Sequence, residues 1–513
     1  MNLGAAKGQL LRWVDTRTES GFSNFLFVDR HYRSSPILRR ILSLARLHEY
    51  QSLSVEELSE ADCQLLQEEN DALRLRANLT GTIVHRLGFW KCAPNSAPNP
   101  DDFVGYAVVK TDQVDLGVRD YVYEAVLPPV RGRAENYYLH ASREYDVETP
   151  AGSQTAAGVL YAQQNDLTFV CAHVALRSAL ATMLPAGEIT YKKMNDIVGV
   201  DHSARKVGGG PGLEPDDLER IIDAFGVAYK KVVHEPSEGH HLSTEFQRDV
   251  YGFIESGCPA LVGFELNDPT PGGGGAARHI VPVIGHTFNN DAWVPEAQRA
   301  YFGSQLSYFP SESWLSSYVL HDDNFGPYYC LPRHFLKKDN FRLIIGLQRA
   351  RTATTAVEAE VAGFALLQAI ATTVGMIGND WFDRFIVYAR EGLLVLRTLL
   401  VERDDYLGHV RGFRFRDDQQ LEAELVAQLA TELPERFWMI EASAPELFTA
   451  SRRKFGELLL ASATPLVPLN ASLVHAARLP GAFFRFSGSG LSYKSTSLVG
   501  HTGIFEANSL ARC

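Results

Sequence analysis

Residues 163–176 read QQNDLTFVCAHVAL, a polar segment with two adjacent glutamines that leads into an apolar, alanine-rich run. The run opens at Cys171, and its composition predicts a helix that Thr168 could cap. A thiol in the first turn of a helix lies near the positive end of the helix dipole, which favours the thiolate. An upstream amide such as that of Gln164 could donate a hydrogen bond to a developing oxyanion. The stretch therefore predicts the nucleophile half of a Cys-His hydrolase site.

The composition is that of an ordinary globular chain and excludes some classes of protein. The length of 513 residues is enough for roughly two to four domains. The chain is 45% hydrophobic and 21% charged, and its net charge of −12 argues against a broad role in binding nucleic acid. The six cysteines are scattered without a CxxC pair, so a reducing compartment fits better than a disulfide framework or a zinc knuckle.

Export, membrane and metal signals are weak. The first 15 residues lack the apolar core of a secretory signal. The most apolar window, residues 357–377, contains Glu358 and Glu360, and it predicts a buried helix rather than a membrane span. Histidines at 234, 240 and 241 are irregularly spaced in a predicted loop, which does not indicate a metal site. We expect a cytoplasmic protein without a membrane span, a metal or a cofactor.

The chain divides into segments of different pattern. One helix is predicted over residues 36–50, and a capping-box pattern that begins at Ser54 predicts a second. A loop rich in proline and asparagine at residues 93–102 is a plausible boundary. We expect a mostly helical N-terminal region (1–100), a β-rich segment (101–150), a catalytic domain (151–340) and an α/β C-terminal domain (341–513).

The order of elements after residue 150 indicates the fold class. Helices are predicted first, from Cys171 and over residues 190–198, 214–226 and 244–256. Strands are concentrated later, over residues 259–266, 279–288, 317–322 and 341–347. This order predicts an α+β fold rather than a regular βαβ winding. Further on, we expect a helix over residues 380–401 and strands over residues 436–441 and 482–486.

His279 is the candidate base. It stands where a glycine-rich segment gives way to the apolar strand IVPVIG, residues 280–285. A histidine at the start of a strand beside a flexible loop can face a cleft. His286 is the alternative, but strand alternation places it on the opposite face. Pro282 is unfavourable in a central strand and predicts an edge or a bulge.

Candidate orienting acids follow at the end of the next strand. Residues 318–327 read YVLHDDNFGP, an apolar run that ends in Asp322 and Asp323 before a Gly-Pro turn. An aspartate there could accept the second ring N–H of His279 and fix its tautomer. Acids before Gly-Pro are also common turn formers, so turn chemistry alone could account for them. The pattern leaves the choice between the two aspartates open.

The order Gln, Cys, His, Asp within residues 155–335 resembles that of the papain-fold cysteine peptidases. The similarity is closest to the bacteriocin-leader, or double-glycine, peptidase type and its bacterial relatives. The matching segments are the glutamines before Cys171, residues 255–262 (ESGCPALV), residues 279–285 and residues 322–326. The chain departs from the family pattern in four places: Ala172 follows the cysteine, Gln164 lies one position further upstream, Asp323 replaces a proline, and an insertion lies around residues 291–314.

The resemblance implies a papain-like fold, in which the helix carrying the cysteine packs on an antiparallel sheet. By family role, Cys171 is the nucleophile, His279 the general base and acid, Asp322 the orienting residue and Gln164 the oxyanion donor. Gln163 and Asn165 compete with Gln164, and Asp323 with Asp322. No cofactor is implied, and the substrate is a protein or peptide.

The expected function is therefore that of a cysteine peptidase that cuts a peptide or isopeptide bond through a thioester. A deamidase or transglutaminase-like acyltransferase would use the same site, and the acceptor, water or amine, would decide between them. An inactive papain-like module that binds peptides is a third alternative. The flanking domains are expected to select the substrate or a protein partner.

Overall fold

Three large β-sheets, with helices packed against them, make up most of the regular structure in the described part of the chain. The computed structural model describes residues 3–15, 31–32, 35–94, 96–130, 136–139, 142–165, 171–184, 189–199, 212–233, 243–266, 277–288, 299–302, 306–336, 341–375, 379–412, 423–451, 454–465, 473–487 and 490–495. Three large sheets and the helices between them make this an α+β protein, which confirms the expected class.

The first part of the chain forms an antiparallel five-stranded sheet, called here the N-terminal sheet, in the order β1-β2-β3-β4-β5. Its elements are β1 (Gly8–Asp15), α1 (Pro36–Leu47), β2 (Ser52–Leu58), α2 (Gln64–Ala77), β3 (Gly81–Trp90), β4 (Phe103–Val114) and β5 (Gly117–Val126). Helix α1 begins with Ser35, whose side chain accepts a hydrogen bond from the Leu38 amide, and with a proline in its first turn.

The prediction of a mostly helical region over residues 1–100 was wrong. Both predicted helices have counterparts nearby, but three strands lie between and around them, and Ser54 lies within β2 rather than at a helix start. The reason is an ion pair between Glu56 and Arg86, whose side chains are fully buried on neighbouring strands. Burial of two charges that satisfy each other is a tertiary feature that a local pattern does not reveal.

The loop at residues 93–102 is also not a domain boundary. It connects β3 to β4, which pair with each other along most of their length, from Gly81 opposite Gln113 to Trp90 opposite Phe103. The segment predicted as β-rich over residues 101–150 therefore completes the N-terminal sheet before it leads on into the rest of the chain.

The second part forms the central sheet, in the order β15-β14-β11-β10-β16-β9 with β6 also paired to β11. All of its pairings are antiparallel. The elements of this part of the chain are β6 (Asn136–Leu139), β7 (Arg143–Thr149), β8 (Gly152–Gly158), α3 (Cys171–Met183), α4 (Tyr191–Val198), α5 (Pro215–Ala224), β9 (Ala228–Val233), α6 (Ser243–Glu255), β10 (Ala260–Leu266), β11 (Ala277–Phe288), β12 (Ala300–Phe302), β13 (Leu306–Pro310), β14 (Leu315–Asp322), β15 (Gly326–Pro332) and β16 (Phe341–Gln348). Strands β7 and β8 pair with each other, and β12 and β13 belong to a further sheet.

Helices cover both faces of the central sheet. On one face, Leu261 and Ile280 share a core with the apolar residues of α3, α4 and α5. On the other face, Val262 and Val281 pack with residues of α6 such as Val250. Alternation along β10 and β11 therefore sends successive side chains to different helices. This arrangement places the first turn of α3 against one face of the strand that carries His279.

The third part forms the C-terminal sheet, in the order β12-β13-β17-β18-β19-β20-β21-β22. Its further elements are α7 (Ala356–Thr373), α8 (Asp380–Arg390), β17 (Val395–Glu402), α9 (Arg403–Gly412), α10 (Ala423–Glu432), β18 (Arg436–Ser443), α11 (Pro445–Ser451), β19 (Gly456–Ala461), β20 (Val474–Leu479), β21 (Ala482–Ser487) and β22 (Gly490–Ser495). Helix α7 is long and apolar enough to cross a membrane, but 67% of it is buried inside the fold. Such burial is typical of a core helix.

The helix predicted over residues 380–401 is shorter than expected. It ends at Arg390, and Gly392 then takes a left-handed conformation with a φ of 69°. The apolar residues that follow become β17, which pairs with β18 from Val395 to Glu402. The long apolar run therefore belongs to a helix and a buried strand, a distinction that apolar composition alone does not make.

Two sheets extend across the predicted boundary at residue 340. Strand β16 follows that boundary, yet it lies between β10 and β9 in the central sheet. Strand β13 precedes it, yet Phe309 and Pro310 pair in parallel with Val395 and Leu396 of the C-terminal sheet. Strand β13 lies within the insertion that was predicted around residues 291–314, so the described part of that insertion contributes to a second sheet.

Candidate active site

Cys171 is the first residue of α3 and is partly exposed, whereas the following helix residues, from Ala172 to Ala181, are buried. Helix α3 lies between two sheets. One side packs on the central sheet, and on the other side Arg177 forms a buried ion pair with Glu124 of β5. The proposed capping residue Thr168 lies outside the described residues, as do the glycine-rich segment 272–275 and residues 234–242 with their histidines.

His279 lies on β11 beside the first turn of α3. Its strand neighbour on β10 is Phe264, whose ring meets the imidazole edge-on with 5.2 Å between ring centroids. Pro282 pairs with Leu261 on β10, and pairing to β14 begins only at Val283, with a register shift directly after it. The bulge that the proline predicted is therefore present. Before Val283, the edge of β11 that faces β14 is unpaired in the described structure, and the two aspartates can approach His279 there.

His286 has a different environment from His279, and the register shift after Val283 interrupts the strand alternation that lies between the two histidines. It is fully buried against α6, where its Nε2 lies 2.6 Å from Glu255 Oε1. The Tyr251 ring also lies against it, at 5.1 Å between centroids. The residue belongs to the core on the other face of the central sheet from α3.

Asp322 ends β14, and Asp323 begins the turn to β15. Asp322 Oδ2 lies 3.5 Å from His279 Nε2, and Asp323 Oδ1 lies 3.3 Å from the same atom. The other oxygen of Asp322 accepts hydrogen bonds from the backbone N–H groups of Asn324 at 2.7 Å and Phe325 at 3.1 Å. Turn chemistry and an orienting role therefore coexist, because one carboxylate oxygen serves each.

The electrostatics of the three groups are coupled. Burial alone would lower the pKa of His279, but hydrogen bonds with Asp322 and Cys171, together with the charges of Asp323 and Cys171, raise that pKa to about 10. Burial alone would raise the pKa of Asp322, yet its hydrogen bond and charge interaction with His279 and the two backbone N–H groups lower it. Nε2 faces the carboxylates, which leaves Nδ1 as the nitrogen for Cys171. The arrangement favours an imidazolium held between the Cys171 sulfur and two carboxylates.

The three candidate amides occupy different places. The Gln163 side-chain carbonyl accepts a hydrogen bond from the Val122 backbone N–H at 3.0 Å, and the Gln163 backbone N–H donates to the Val122 carbonyl. Gln163 is thereby bound to β5. Asn165 is buried. Gln164 lies with Cys171 and His279 on the wall of one cavity, so its position is the one that fits an oxyanion donor.

That cavity has a volume of about 620 Å³. Its walls are largely apolar, and charged residues also line it. The apolar lining includes Leu213, Leu218, Phe264, Ile280 and Leu343; the charged lining is Glu214, Arg278 and Arg342. A cavity of this kind beside a nucleophile can accommodate an extended chain with an apolar side chain.

Two other cysteines fit the structural roles expected of them. Cys258 is buried, and burial raises the pKa of its thiol to about 11. Cys330 is half-buried and packs on the core beneath α1. Neither lines the cavity that contains Cys171.

A cation could be held at the same place. His279, Asp322 and Asp323 offer three ligand atoms that lie within 4.8 Å of one another. An ion bound to Nε2 would take the position of the proton that His279 shares with the carboxylates, so an ion and the hydrogen-bonded arrangement exclude each other.

Two contacts at the site were not anticipated from the sequence. Phe264 reaches His279 through strand register, and the Tyr161 hydroxyl donates to the Asp322 backbone carbonyl at 3.3 Å. The pairing of residues 260–266 with residues 277–283 would have indicated Phe264, whereas Tyr161 has no local signal.

Comparisons with known proteins do not assign a family. No protein-family model matches the chain, and no curated protein matches it significantly.

Proposed function

We propose that this protein is a cysteine peptidase of the papain-like type, which hydrolyses a peptide or isopeptide bond. The observation that carries the proposal is that Cys171, His279 and Asp322, from three distant parts of the chain, meet beside one cavity that Gln164 also lines. A helix that begins with the cysteine and packs on an antiparallel sheet supports the papain-like fold.

The chemistry follows from the positions of these groups. The Cys171 thiolate attacks the substrate carbonyl, and the Gln164 amide donates a hydrogen bond to the oxyanion. The His279 imidazolium gives its Nδ1 proton to the leaving amine, and a thioester forms on Cys171. Water then gives a proton to His279 as it attacks the thioester, and the acid product leaves. Asp322 orients the ring throughout by accepting a hydrogen bond from Nε2–H, and it stays ionised.

The acceptor decides between hydrolysis and acyl transfer. The described site offers the same thioester to water or to an amine, as a deamidase or a transglutaminase-like acyltransferase would use it. An inactive peptide-binding module is less well supported, because the coupled thiol, imidazole and carboxylates are unnecessary for binding. We also propose a cytoplasmic location, which fits the free thiols of the five described cysteines, and peptide or protein partners selected by the flanking sheets.

The test is a comparison of protein termini in extracts treated with wild type or with Cys171→Ala. The proposal expects new N-termini with wild type alone, whether or not EDTA is present. Amine-linked products without new termini would favour acyl transfer. Equal products from wild type and Cys171→Ala, or activity that EDTA abolishes, would contradict the proposal.

A further inference from the structure

Arg40 of α1 holds the turn that presents the two aspartates. Its Nε donates to the Pro327 carbonyl at 2.7 Å, and its Nη2 donates to the Tyr328 carbonyl at 2.5 Å. We infer that Arg40 is a positioning residue for the active site, and that the N-terminal unit is part of the catalytic structure rather than an accessory. The inference rests on the proposed function and extends it to a residue that contacts neither Cys171 nor the cavity in the described structure.

The bonds of Arg40 reach the catalytic groups through the backbone of the turn. Gly326, next to Pro327, pairs with Asp322 where β14 and β15 meet. The Arg40 side chain packs closely there, because a Cβ added to Gly326 would lie 2.8 Å from Arg40 Cδ. Since Asp322 also accepts the backbone N–H groups of the turn, a shift of the turn would move the carboxylate that faces His279.

The turn needs outside support because its backbone is unusual. Gly326 has a φ of 97°, and Tyr328 has a φ of 52°, a left-handed conformation that is unfavourable for a tyrosine. The Tyr328 hydroxyl donates to the Leu127 carbonyl at 2.5 Å and accepts from the Val159 amide at 3.1 Å. The two bonds from Arg40 thus fix a segment that would otherwise relax.

The N-terminal unit supports the turn from a second direction. Tyr161, whose hydroxyl donates to the Asp322 carbonyl, is joined to Ala125 of β5 by two backbone hydrogen bonds of 2.9 Å. His48, just after α1, lies with Nε2 2.9 Å from the Pro128 carbonyl. Helix α1 and β5 therefore support the turn with the aspartates from two directions. The hydrogen bonds from the Arg40 side chain are the part of this support that a substitution can remove.

The experiment compares full-length Arg40→Met with wild type, because methionine keeps an apolar stem and removes the N–H donors. Arg46→Ala, an exposed arginine of the same helix, is the matched control, and Arg40→Lys is the conservative variant. Two readouts need no substrate: the rate at which iodoacetamide alkylates Cys171 at pH 6, and the pKa of the His279 imidazole by NMR. Circular dichroism and thermal unfolding verify the fold of each variant.

We expect Arg40→Met to lower the alkylation rate by about tenfold, because a displaced carboxylate no longer orients the imidazole towards the Cys171 sulfur. The His279 pKa should fall towards its ordinary value, Arg46→Ala should match wild type, and Arg40→Lys should recover part of the loss. A folded Arg40→Met with wild-type rate and His279 pKa would overturn the inference. If Arg40→Met does not fold, a folded Arg40→Lys with both readouts unchanged would overturn it equally.

The proposed function fails differently. It would fail if Cys171 of wild type reacted no faster than Cys330, whatever the Arg40 variants did. Rapid reaction of Cys171 in wild type together with unchanged Arg40 variants would instead leave the proposed function intact and remove the role of Arg40.

Discussion

At the scale of single residues, the site depends on three groups whose charges support one another. His279 is held between the Cys171 sulfur and two carboxylates, and Asp322 divides its oxygens between the imidazole and two backbone amides. Asp323 adds a second negative charge near the same ring nitrogen. The protonated imidazole is therefore an integral part of the folded state.

The pH dependence of stability should reveal this coupling. The pKa of His279 is about 10 in the folded protein, against an ordinary value of 6.5. Protonated His279 thus stabilises the fold fully below about pH 6.5, and the contribution is lost as the pH rises through about 10. We predict that the free energy of unfolding of wild type falls more between these pH values than that of His279→Asn. Urea unfolding across the range measures this, and parallel curves would speak against the coupling.

The two neighbouring glutamines should behave differently when replaced. Gln164→Ala is expected to lower kcat by about 10²- to 10³-fold, the usual cost of losing an oxyanion donor, with little change in stability. Gln163→Ala, the matched control, loses the bond to the Val122 amide and should destabilise the fold by about 1–3 kcal/mol while leaving kcat of the folded enzyme near wild type. Steady-state kinetics and urea unfolding of both variants measure these effects. A large loss of kcat in Gln163→Ala but not in Gln164→Ala would assign the oxyanion donor to Gln163.

At the scale of elements, buried ion pairs connect the central and C-terminal sheets. Arg397 of β17 pairs with Glu255 at the end of α6 and with Glu441 of β18, and all three side chains are at most 2% exposed. Glu255 in turn contacts His286 of β11. The helix behind the central sheet is thus joined through charges to the neighbouring sheet.

Replacement of this arginine should affect stability far more than chemistry. Arg397→Met removes the arginine that joins two buried carboxylates, and their remaining ionisable partners are His286 for Glu255 and Lys454 for Glu441. We therefore predict a loss of about 3–5 kcal/mol in the free energy of unfolding. Cys171 lies at the start of α3, which packs on the other face of the central sheet from α6, so the folded fraction should retain its alkylation rate. Chemical unfolding measures the stability of the variant, and alkylation of the same sample measures the reactivity of Cys171. A decrease of less than about 1 kcal/mol in the free energy of unfolding would contradict the prediction and indicate that water replaces the arginine.

Element prediction from the sequence succeeded where patterns are local. The helix at Cys171, the strands at His279 and Asp322 and the bulge near Pro282 were all indicated by polar-to-apolar transitions or by backbone chemistry. Ser54 was misassigned because Glu56 is buried against Arg86, a contact between strands that are separated along the chain. The helix after Asp380 was overextended because an apolar run can serve a helix or a buried strand.

At the scale of the whole molecule, the site is completed by parts of the chain far from it in sequence. Arg40 contacts residues more than 280 positions away, and the segment between His279 and Asp322 pairs with the C-terminal sheet through β13. Such contacts leave no local signal, since each depends on how the sheets pack. The candidate nucleophile, base and acid could therefore be proposed from the sequence, whereas the support of the acid turn could not.

Alkylation of each cysteine by iodoacetamide at neutral pH, located by mass spectrometry of peptides, tests most directly whether Cys171 is the nucleophile. We predict that Cys171 reacts first and that His279→Ala slows its reaction by about tenfold or more, because the thiolate loses its partner. Cys258→Ala and Cys330→Ala should leave the labelling of Cys171 intact. Labelling of Cys171→Ala equal to that of wild type would contradict the assignment of Cys171 as the nucleophile.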